Sequence, residues 1–303
     1  MSALGVIGVP TSAGAFAPGQ ERAPAALRAV GLIGLLRDAG VEVIDRGDRE
    51  TWRWRPDRDN PRAQNLAMVV EIVADTARRV AAAAAAGETT LVLGGDCTVG
   101  VGTVAGHVQT GERVGLVYFD AHADINVPGS VLPGALDWTG MAHMLGEDGA
   151  QPELVEVGAR APLLEPDQVV LFGWDPGQAV RGEPATIERR GIDTVAADEI
   201  RSDPAAAASR ALELLGDRAE RLLVHFDVDV IDFTDTPLSE NPGRNEGLPY
   251  ADTIAALDAL LQAPRLAGLT VTELNPDHAE EGAGSIERLA RDVAGAVGRT
   301  ARS

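Results

Sequence analysis

Residues 114–124 read VGLVYFDAHAD, and this stretch shows the pattern that decides the fold: a short apolar run ends abruptly in acidic and imidazole side chains. Similar runs recur along the chain. They are nearly continuous in apolar residues instead of alternating, which is typical of parallel strands that are covered on both faces. Strands are predicted at residues 4–9, 41–44, 89–93, 114–119, 169–172, 194–196, 222–226 and 266–271.

Segments with helical periodicity lie between most of these runs. Residues 46–63 are polar, contain two prolines and two tryptophans, and predict an irregular loop. The alternation of strands and helices predicts an α/β fold. Because no linker and no internal repeat interrupts it, we expect residues 1–303 to form one domain. Helices are predicted at residues 24–39, 65–86, 99–108, 176–189, 204–215, 251–261 and 285–297.

The composition limits the classes of function that fit the chain. Of its 303 residues, 45% are hydrophobic and 24% are charged, which is ordinary for a globular protein. The 46 acidic and 26 basic residues give a net charge of −20, which argues against binding to nucleic acid or to an anionic membrane. No long uncharged apolar segment predicts a membrane span. A single cysteine cannot form an internal disulfide and the N-terminus lacks signal-peptide features, so we expect a cytoplasmic protein.

Acidic residues follow four of the predicted strands. In open α/β sheets, ligands bind outside the carboxyl ends of the strands, so side chains from several strand ends meet at one edge. A single aspartate in this place is often only a helix cap or a turn former. The residues placed at this edge are Asp96, Asp120, Asp124, Asp227, Asp229, Asp232 and Glu273, together with Cys97 and His122.

The set as a whole indicates a metal site. Clustered carboxylates raise one another's pKa unless a cation lies among them. On an extended segment, the D-x-H-x-D spacing points Asp120, His122 and Asp124 to one side, and the D-x-D spacing does the same for Asp227 and Asp229. Carboxylates with one imidazole suit a fairly hard ion such as Mn²⁺. There are too many ligands for one ion, so the sequence predicts two ions that share carboxylates.

Four motifs give the chain a family resemblance. Residues 94–97 (GGDC), 120–126 (DAHADIN), 227–232 (DVDVID) and 273–276 (ELNP) resemble, in the same order, the GGDH, DAHxDxN, DxDxxDP and ExNP motifs of the ureohydrolases, the arginase and agmatinase family. The resemblance implies a three-layer α/β/α fold with a mostly parallel sheet of about eight strands. It also implies two Mn²⁺ ions per chain, hydrolysis of a small guanidino substrate that usually releases urea, and a homo-oligomer, either a trimer or a hexamer.

The resemblance also assigns metal ligands residue by residue. Asp120 and Asp227 match the carboxylates that bridge the two metals. Asp124 matches the other carboxylate on the first metal. His122 and Asp229 match the remaining ligands of the second metal.

Four further residues take their roles from the same match. Glu273 matches the acid that faces the guanidinium group, and Asn126 lies where the family lines its substrate pocket. Asp232 matches a carboxylate behind the metal ligands. Asp96 is expected to be structural instead of a direct ligand.

Cys97 is the first departure from the family pattern, which has a histidine ligand at this position. One interpretation is a small buried hydrophobic side chain. The other, which we favour because the GGD motif defines the position, is a thiolate ligand. A thiolate is softer than an imidazole, so it would shift metal preference from Mn²⁺ towards Fe²⁺, Co²⁺ or Zn²⁺.

Residues 133–138, which read PGALDW, are the second departure, because typical arginases read SGNLHG there. Asp137 replaces the histidine that shuttles protons, and Ala135 replaces an asparagine that binds the substrate α-carboxylate. Pro133 belongs to the same altered segment. His143 is an alternative shuttle, although a histidine on an apolar helix is more often packed in the core.

Residues 172–178, which read FGWDPGQ, are the third departure. Typical arginases hold the substrate α-amino group there with two acids and a glutamate. Only Asp175 remains, with Gly173 and Gln178 at the other positions, so free arginine is not expected in the usual pose. The nearby Trp174, like Trp138, is expected either in the pocket wall or in the core.

The remaining histidines have weaker assignments. His107 is expected to be structural, and His225 is expected behind the metal ligands or in the packing. His278 follows the ELNPD segment and is expected near the entrance of the site.

Two functional hypotheses follow. The first is a metal-dependent amidinohydrolase with Asp124, Asp137 and Glu273 as catalytic residues and Asn126, Asp175 and Glu273 as substrate-binding residues. Its substrate carries a guanidine or an N-hydroxyguanidine and is hydrolysed to an amine and urea or hydroxyurea. The second is a catalytically silent relative that keeps the fold for binding or assembly. The two lost histidines favour it, and the intact carboxylate set opposes it.

Overall fold

Eight strands form one parallel sheet in the computed structural model, which describes residues 2–131, 134–279 and 284–302. Pro133 lies outside the described residues. The order of the strands across the sheet is β2-β1-β3-β8-β7-β4-β5-β6. This confirms the predicted α/β fold and its eight-stranded sheet. The strands are β1 Leu4–Gly8, β2 Val43–Asp48, β3 Thr89–Leu93, β4 Val114–Phe119, β5 Val169–Phe172, β6 Asp193–Val195, β7 Arg221–Asp227 and β8 Leu266–Thr272.

Eleven helices cover the sheet within the described ranges. The long helix predicted at residues 65–86 is α3, and the one predicted at 99–108 is α4. The helices are α1 Ala23–Ala29, α2 Leu32–Asp38, α3 Leu66–Ala85, α4 Thr98–Val108, α5 Gly140–Leu145, α6 Pro152–Val155, α7 Glu183–Arg190, α8 Ala197–Ser202, α9 Pro204–Leu215, α10 Tyr250–Leu261 and α11 Ser285–Arg302.

Three predicted boundaries are wrong. The helix predicted at residues 24–39 is two helices, because Gly31 adopts a φ of 88° and breaks it. The helix predicted at 176–189 begins only at α7, after Gly182 with a φ of 105°. Strand β2 runs to Asp48, three residues into the segment that was expected to be an irregular loop.

Two apolar cores lie on opposite faces of the sheet, because successive strand side chains point to opposite sides. In β4, Val117 and Phe119 belong to the core that contains residues of α1, α2, α9, α10 and α11. Leu116 and Tyr118 belong to the other core, which contains residues of α3, α4 and α5. The chain therefore has the three layers expected of an α/β/α fold.

The strands that carry the predicted site residues are neighbours. β3, β8, β7 and β4 lie side by side in the centre of the sheet and all run in the same direction. Their carboxyl ends therefore meet at one edge. Residues from four distant parts of the sequence are brought together there.

Candidate active site

Two groups of potential metal ligands lie at this edge. In the first group, the donor atoms of Cys97, Asp120, His225 and Asp227 all lie within 4.8 Å of one another. In the second, those of Asp120, His122 and Asp229 do so. Asp120 belongs to both groups, so its carboxylate is placed to bridge two neighbouring ions.

The second group is held by contacts around His122. Its Nδ1 lies 3.0 Å from Asp229 Oδ2 and 3.3 Å from Asp120 Oδ1. Burial alone lowers the pKa of His122, but the negative charges of Asp229 and Asp120 overcome it and raise this pKa well above its ordinary value. The carboxylates therefore attract positive charge, whether it is a proton on this ring or a metal ion.

The first group centres on the thiol of Cys97, which donates to Asp227 Oδ2 at 2.8 Å. Burial and then the charge of Asp227 raise the pKa of the Cys97 thiol well above its ordinary value. Burial and then the charge of Asp229 likewise raise the pKa of the Asp120 and Asp227 carboxyls. Among these carboxylates, the thiol becomes a thiolate only if a cation is present.

The donor set fits metal binding. Asp229 Oδ1 is buried and has no hydrogen-bond partner among the described residues. A buried oxygen without a partner is costly, and coordination to an ion would satisfy it. The site combines a thiol, two imidazoles and several carboxylates, which are ligands for first-row divalent metals.

Asp124 lies outside both ligand groups. Its Oδ2 accepts a hydrogen bond of 2.6 Å from the Tyr118 hydroxyl. Burial raises the pKa of Asp124 to about 8, although this hydrogen bond lowers it. Asp124 has a φ of 48°, in the left-handed region that side chains other than glycine rarely adopt.

Glu273 is fixed at the end of β8 by two donors. Its Oε1 accepts from the backbone N–H of Cys97 at 2.8 Å, and its Oε2 accepts from Gln20 Nε2 at 3.1 Å. Burial and then the charge of Asp96 raise the pKa of Glu273 well above its ordinary value. Its φ of 61° is also left-handed, and strained backbone of this kind concentrates at functional sites.

A cavity of about 350 Å³ opens beside the ligand groups. Ten of its lining residues were named from the sequence: Cys97, His122, Asp124, Asn126, Asp137, Trp138, Gln178, Asp227, Asp229 and Glu273. Five were not: Phe16, Val180, Glu183, Glu240 and Asn241. Several potential metal ligands therefore share one space with Gln178, whereas Ala135 and Gly173 are not among the residues that line it.

Asp137 is buried in the cavity wall. Its Oδ1 accepts from the backbone N–H of Trp138 at 3.0 Å. Burial and then the charge of Glu273 raise the pKa of Asp137 well above its ordinary value. A carboxyl group with a raised pKa is suited to donate a proton, as a general acid does.

Asn126 contacts Glu183, a cavity residue that was not predicted from the sequence. Its Nδ2 donates to Glu183 Oε1 at 2.8 Å, and Glu183 Oε2 accepts from the backbone N–H of Val180 at 2.7 Å. Glu183 begins α7 directly after Gly182, and Pro184 follows it. An acidic residue and a proline in the first turn signal a helix start, so this signal was present in the sequence.

Asp175 does not line the cavity. Its carboxylate accepts from the backbone N–H of Gly177 at 2.8 Å and from Gln178 Nε2 at 3.3 Å. Asp175 therefore positions Gln178, which does line the cavity. Trp138 is in the cavity wall, whereas Trp174 packs against the core on the α3 and α4 side of the sheet.

Asp96 and Asp232 accept hydrogen bonds from nearby backbone N–H groups. Asp96 is fully buried and accepts from the backbone N–H groups of Gly14 and Thr98 at 3.0 and 3.1 Å, which ties the loop after β1 to the start of α4. Asp232 accepts from the backbone N–H of Thr234 at 2.7 Å. Neither residue belongs to the ligand groups above.

The remaining histidines differ in their surroundings. His143 is buried in α5 with Nδ1 2.6 Å from the carbonyl oxygen of Thr139, and burial lowers its pKa to about 4. His107 contacts Thr90 Oγ1 at 2.9 Å. His278 lies 2.8 Å from the carbonyl oxygen of Ser239. None of these three lines the cavity. His225, by contrast, belongs to the first ligand group.

Comparison with known proteins identifies the family. The model of the arginase family matches residues 2–297. The chain belongs to the arginase family. Arginase from Bacillus caldovelox is 28% identical over 279 residues, which cover 91% of this chain and 92% of the relative. Arginase-1 from Homo sapiens is 29% identical over 279 residues, which cover 90% and 85%.

Solved structures of the arginase family agree with the fold. The native structure of the Bacillus caldovelox arginase matches with a TM-score of 0.86 at 27% identity and covers 98% of both chains. Formimidoylglutamase from Bacillus subtilis matches with a TM-score of 0.77 at 19% identity and covers 99% of this chain and 88% of its own, which shows a shared fold. The protein is therefore an arginase-family hydrolase whose sheet edge carries residues able to hold metal. Among the described residues, no helix combines the length and the hydrophobicity that a membrane span requires.

Proposed function

We propose that the protein is a dinuclear metal amidinohydrolase that acts on a guanidino or N-hydroxyguanidino compound other than L-arginine. One observation carries the proposal: two groups of metal-ligand side chains share Asp120 and adjoin a cavity that also exposes Glu273. We further propose a cytoplasmic homo-oligomer, a trimer or a hexamer, as the family resemblance implies.

The metal site in this proposal uses five of the residues predicted from the sequence: Cys97, Asp120, His122, Asp227 and Asp229. Asp124, the sixth predicted ligand, lies beside them but outside both ligand groups. Mn²⁺ is the metal that the family implies, and the thiol opens the site to Fe²⁺, Co²⁺ or Zn²⁺. When bound, such ions lower the pKa of water and so supply a nucleophile at neutral pH.

The guanidinium end of the substrate is held by Glu273. The donors Cys97 and Gln20 fix both oxygens of its carboxylate. Each oxygen retains a lone pair for a substrate N–H. The positive charge of a bound guanidinium group favours the ionised form of Glu273, and the opposite charges then strengthen these bonds. This contact would hold the guanidinium carbon in the cavity beside the ligand groups, where a hydroxide ion supplied by bound metal would add to it.

Asp137 serves as the proton donor in this proposal. The carbon–nitrogen bond of the adduct breaks as the departing nitrogen takes the proton of the Asp137 carboxyl. The products are a neutral amine and urea, or hydroxyurea when the substrate carries an N-hydroxyl group. The Asp137 carboxylate then takes the hydroxyl proton of the remaining fragment, whose oxygen becomes the carbonyl oxygen of urea, so the carboxyl group is restored. Its buried position in the cavity wall supports this role.

The other end of the substrate faces positions at which this chain differs from typical arginases. Ala135, Gly173 and Gln178 replace the groups with which the family is expected to read an amino-acid head. Each unmet polar group costs on the order of 1–3 kcal/mol. Two or three such losses weaken arginine binding by roughly two to four powers of ten.

An N-hydroxyguanidine fits the altered residues well. It is less basic than a guanidine and needs less help with protonation. This matches a site that has an aspartate in place of the shuttling histidine and a thiol in place of a ligand histidine. Glu183 and Glu240, in the same cavity, favour a tail that carries positive charge or hydrogen-bond donors.

A kinetic panel tests the proposal. L-arginine, agmatine, guanidino acids and N-hydroxyarginine are incubated with protein reconstituted with Mn²⁺, Co²⁺ or Zn²⁺, and urea and hydroxyurea are measured. We expect turnover of a compound other than arginine. Efficient turnover of arginine, above every other compound, would contradict the substrate assignment. The absence of products from every compound by fully metal-loaded protein would favour the silent relative.

A further inference from the structure

His225 lies behind the predicted ligands and is not among the residues that the family match assigns. It precedes Asp227 by two positions in β7, so both side chains point to the same side of the sheet. Its ring stacks on Tyr118 at 4.3 Å between centroids and 7° between planes. This stacking holds the imidazole in one orientation, 98% buried.

The ring nitrogen of His225 faces Cys97. Nε2 lies 3.5 Å from Cys97 Sγ and 3.1 Å from Thr272 Oγ1. A tetrahedral ion with a sulfur at about 2.3 Å and a nitrogen at about 2.05 Å separates these two atoms by about 3.6 Å. The observed separation therefore suits two ligands of one ion.

A cysteine at position 97 would hold the first metal nearer to His225 than a histidine would. A cysteine sulfur is bonded directly to Cβ, whereas a histidine ring reaches further from the backbone. An ion held by Cys97 must therefore lie closer to the start of α4, and the imidazole of His225 lies on that side. Asp124 is the carboxylate that the family match assigns to this metal. It instead accepts a hydrogen bond from the Tyr118 hydroxyl.

Gly100 makes the space that His225 occupies. It lies in the first turn of α4, and a Cβ at this position would be 2.7 Å from Nδ1 and 2.9 Å from Cε1 of the His225 ring. Any larger residue would displace the imidazole. Three positions thus depend on one another. Cys97 replaces the histidine of the family motif, His225 supplies an imidazole nearby, and Gly100 leaves room for that ring.

We propose that His225 Nε2 is a direct ligand of the first metal, together with Cys97, Asp120 and Asp227. This set of a thiolate, an imidazole and two carboxylates prefers Zn²⁺, Co²⁺ or Fe²⁺ to Mn²⁺. The second group, with His122, Asp229 and the shared Asp120, keeps oxygen-rich ligands. The inference rests on the two-metal site of the proposed function, and it predicts two ions in unlike surroundings.

X-ray absorption spectroscopy of the full chain loaded with Zn²⁺ tests the proposal. We expect one sulfur and two imidazoles for every two ions, the imidazoles being those of His122 and His225. His225→Ala should remove one imidazole and weaken the binding of one ion by at least about tenfold, because even the loss of a group that only supports a ligand costs that much. Unfolding of the metal-free proteins by heat shows whether each variant is folded.

Two further variants separate a ligand from a supporting hydrogen-bond donor. His225→Gln keeps an N–H group near the sulfur but offers no imidazole, so it should lose the ion as His225→Ala does. If His225→Gln retains two ions with unchanged affinity, His225 only donates to the sulfur and the inference is wrong. His107→Gln alters another buried imidazole near the sheet. It should leave the number of bound ions and the number of coordinating imidazoles unchanged. A wild-type protein with two ions and one imidazole would overturn this inference alone, whereas one that binds no metal would overturn the proposed function with it.

Discussion

Cys97 serves the site through both its backbone and its side chain. Its N–H donates to Glu273, which faces the substrate cavity, and its thiol donates to Asp227. The first contact survives any substitution except proline, whereas the second requires the thiol. Position 97 therefore allows the metal ligand to be changed without loss of the contact that fixes Glu273.

Cys97→Ala should lose one metal ion and retain the other. The first ligand group depends on the sulfur, whereas the group of Asp120, His122 and Asp229 does not contain it. The number of metal ions measured after reconstitution should therefore fall from two to one per chain. Cys97→His, which restores the family ligand, is the matched variant and should keep or raise affinity for Mn²⁺. Equal labelling of Cys97 by a thiol reagent with and without metal would refute the ligand role.

Asp137→Asn should lower kcat by about 10²–10⁴-fold, the range for loss of a general acid, with a much smaller change in KM. The amide keeps the shape and the contact with Trp138 but has no proton to give. Since the pKa of Asp137 is raised, the wild-type rate should fall as pH rises through that value. Kinetics on the best substrate of the panel measure both effects. An unchanged kcat would assign proton transfer elsewhere.

At the scale of the element, α4 carries the site on its first turn. Cys97 precedes it, and Gly100 leaves room for His225. A glycine inside a helix costs up to about 1 kcal/mol compared with alanine. Its presence here is explained by the close approach of the imidazole to the backbone.

Gly100→Ala should therefore destabilise the protein by about 1–3 kcal/mol, in spite of the better helix propensity of alanine. Gly34→Ala in α2 is the matched control, because a Cβ there would meet nothing within 4 Å. That variant should be neutral or more stable by up to about 1 kcal/mol. Denaturant unfolding of the metal-free proteins gives both free energies. A stabilised Gly100→Ala variant would show that His225 has more freedom than its contacts indicate.

The predicted elements differed most from the structure where a glycine changes the backbone. The apolar runs predicted all eight strands, because most of the strands are buried on both faces. The exception is β2, which is only partly buried, and its predicted range of 41–44 is shifted from the observed Val43–Asp48. Residues 24–39 and 176–189 were each read as one helix, since periodicity does not reveal the positive φ of Gly31 or Gly182. The late start of α7 is also why Glu183 was missed as a cavity residue.

At the scale of the whole molecule, sheet order brings the site together. The motifs identified the acidic residues at the strand ends, but only the neighbouring positions of β3, β8, β7 and β4 show that their side chains meet. Residues that no motif marks, such as Phe16, Gln20 and Glu240, could not be found in this way. His225 was visible in the sequence, but its contact with Cys97 depends on three-dimensional packing.

The metal-free protein should lose stability as pH rises from about 4 to about 8. Unfolded carboxyl groups titrate near pH 4. Burial raises the pKa of Asp124 to about 8, and it raises those of Asp120 and Asp227 as well. These carboxyl groups therefore bind more protons in the native state than in the unfolded chain across this range, so their contribution to the free energy of unfolding falls with rising pH. The lowered pKa values of His107, His143 and His225 oppose this fall only below about pH 6.5.

Bound metal ions should remove this dependence, because they compensate the carboxylate charge that protons otherwise compensate. Thermal unfolding with a chelator and with excess metal, at several pH values across the range, measures the difference. Stability of the chelated protein that increases over the same range would contradict the proposed repulsion among the buried carboxylates.

The number of metal ions bound to each chain tests the central claim most directly. Native mass spectrometry and elemental analysis after reconstitution should give two divalent ions per chain in the wild type. Asp120→Ala, which removes the carboxylate shared by both groups, should lower the binding of both ions, and Asp227→Ala should lower the binding of the first. If the wild type binds no ions under saturating metal, or if both variants retain two ions with unchanged affinity, the claim of a shared two-metal site at the sheet edge is wrong.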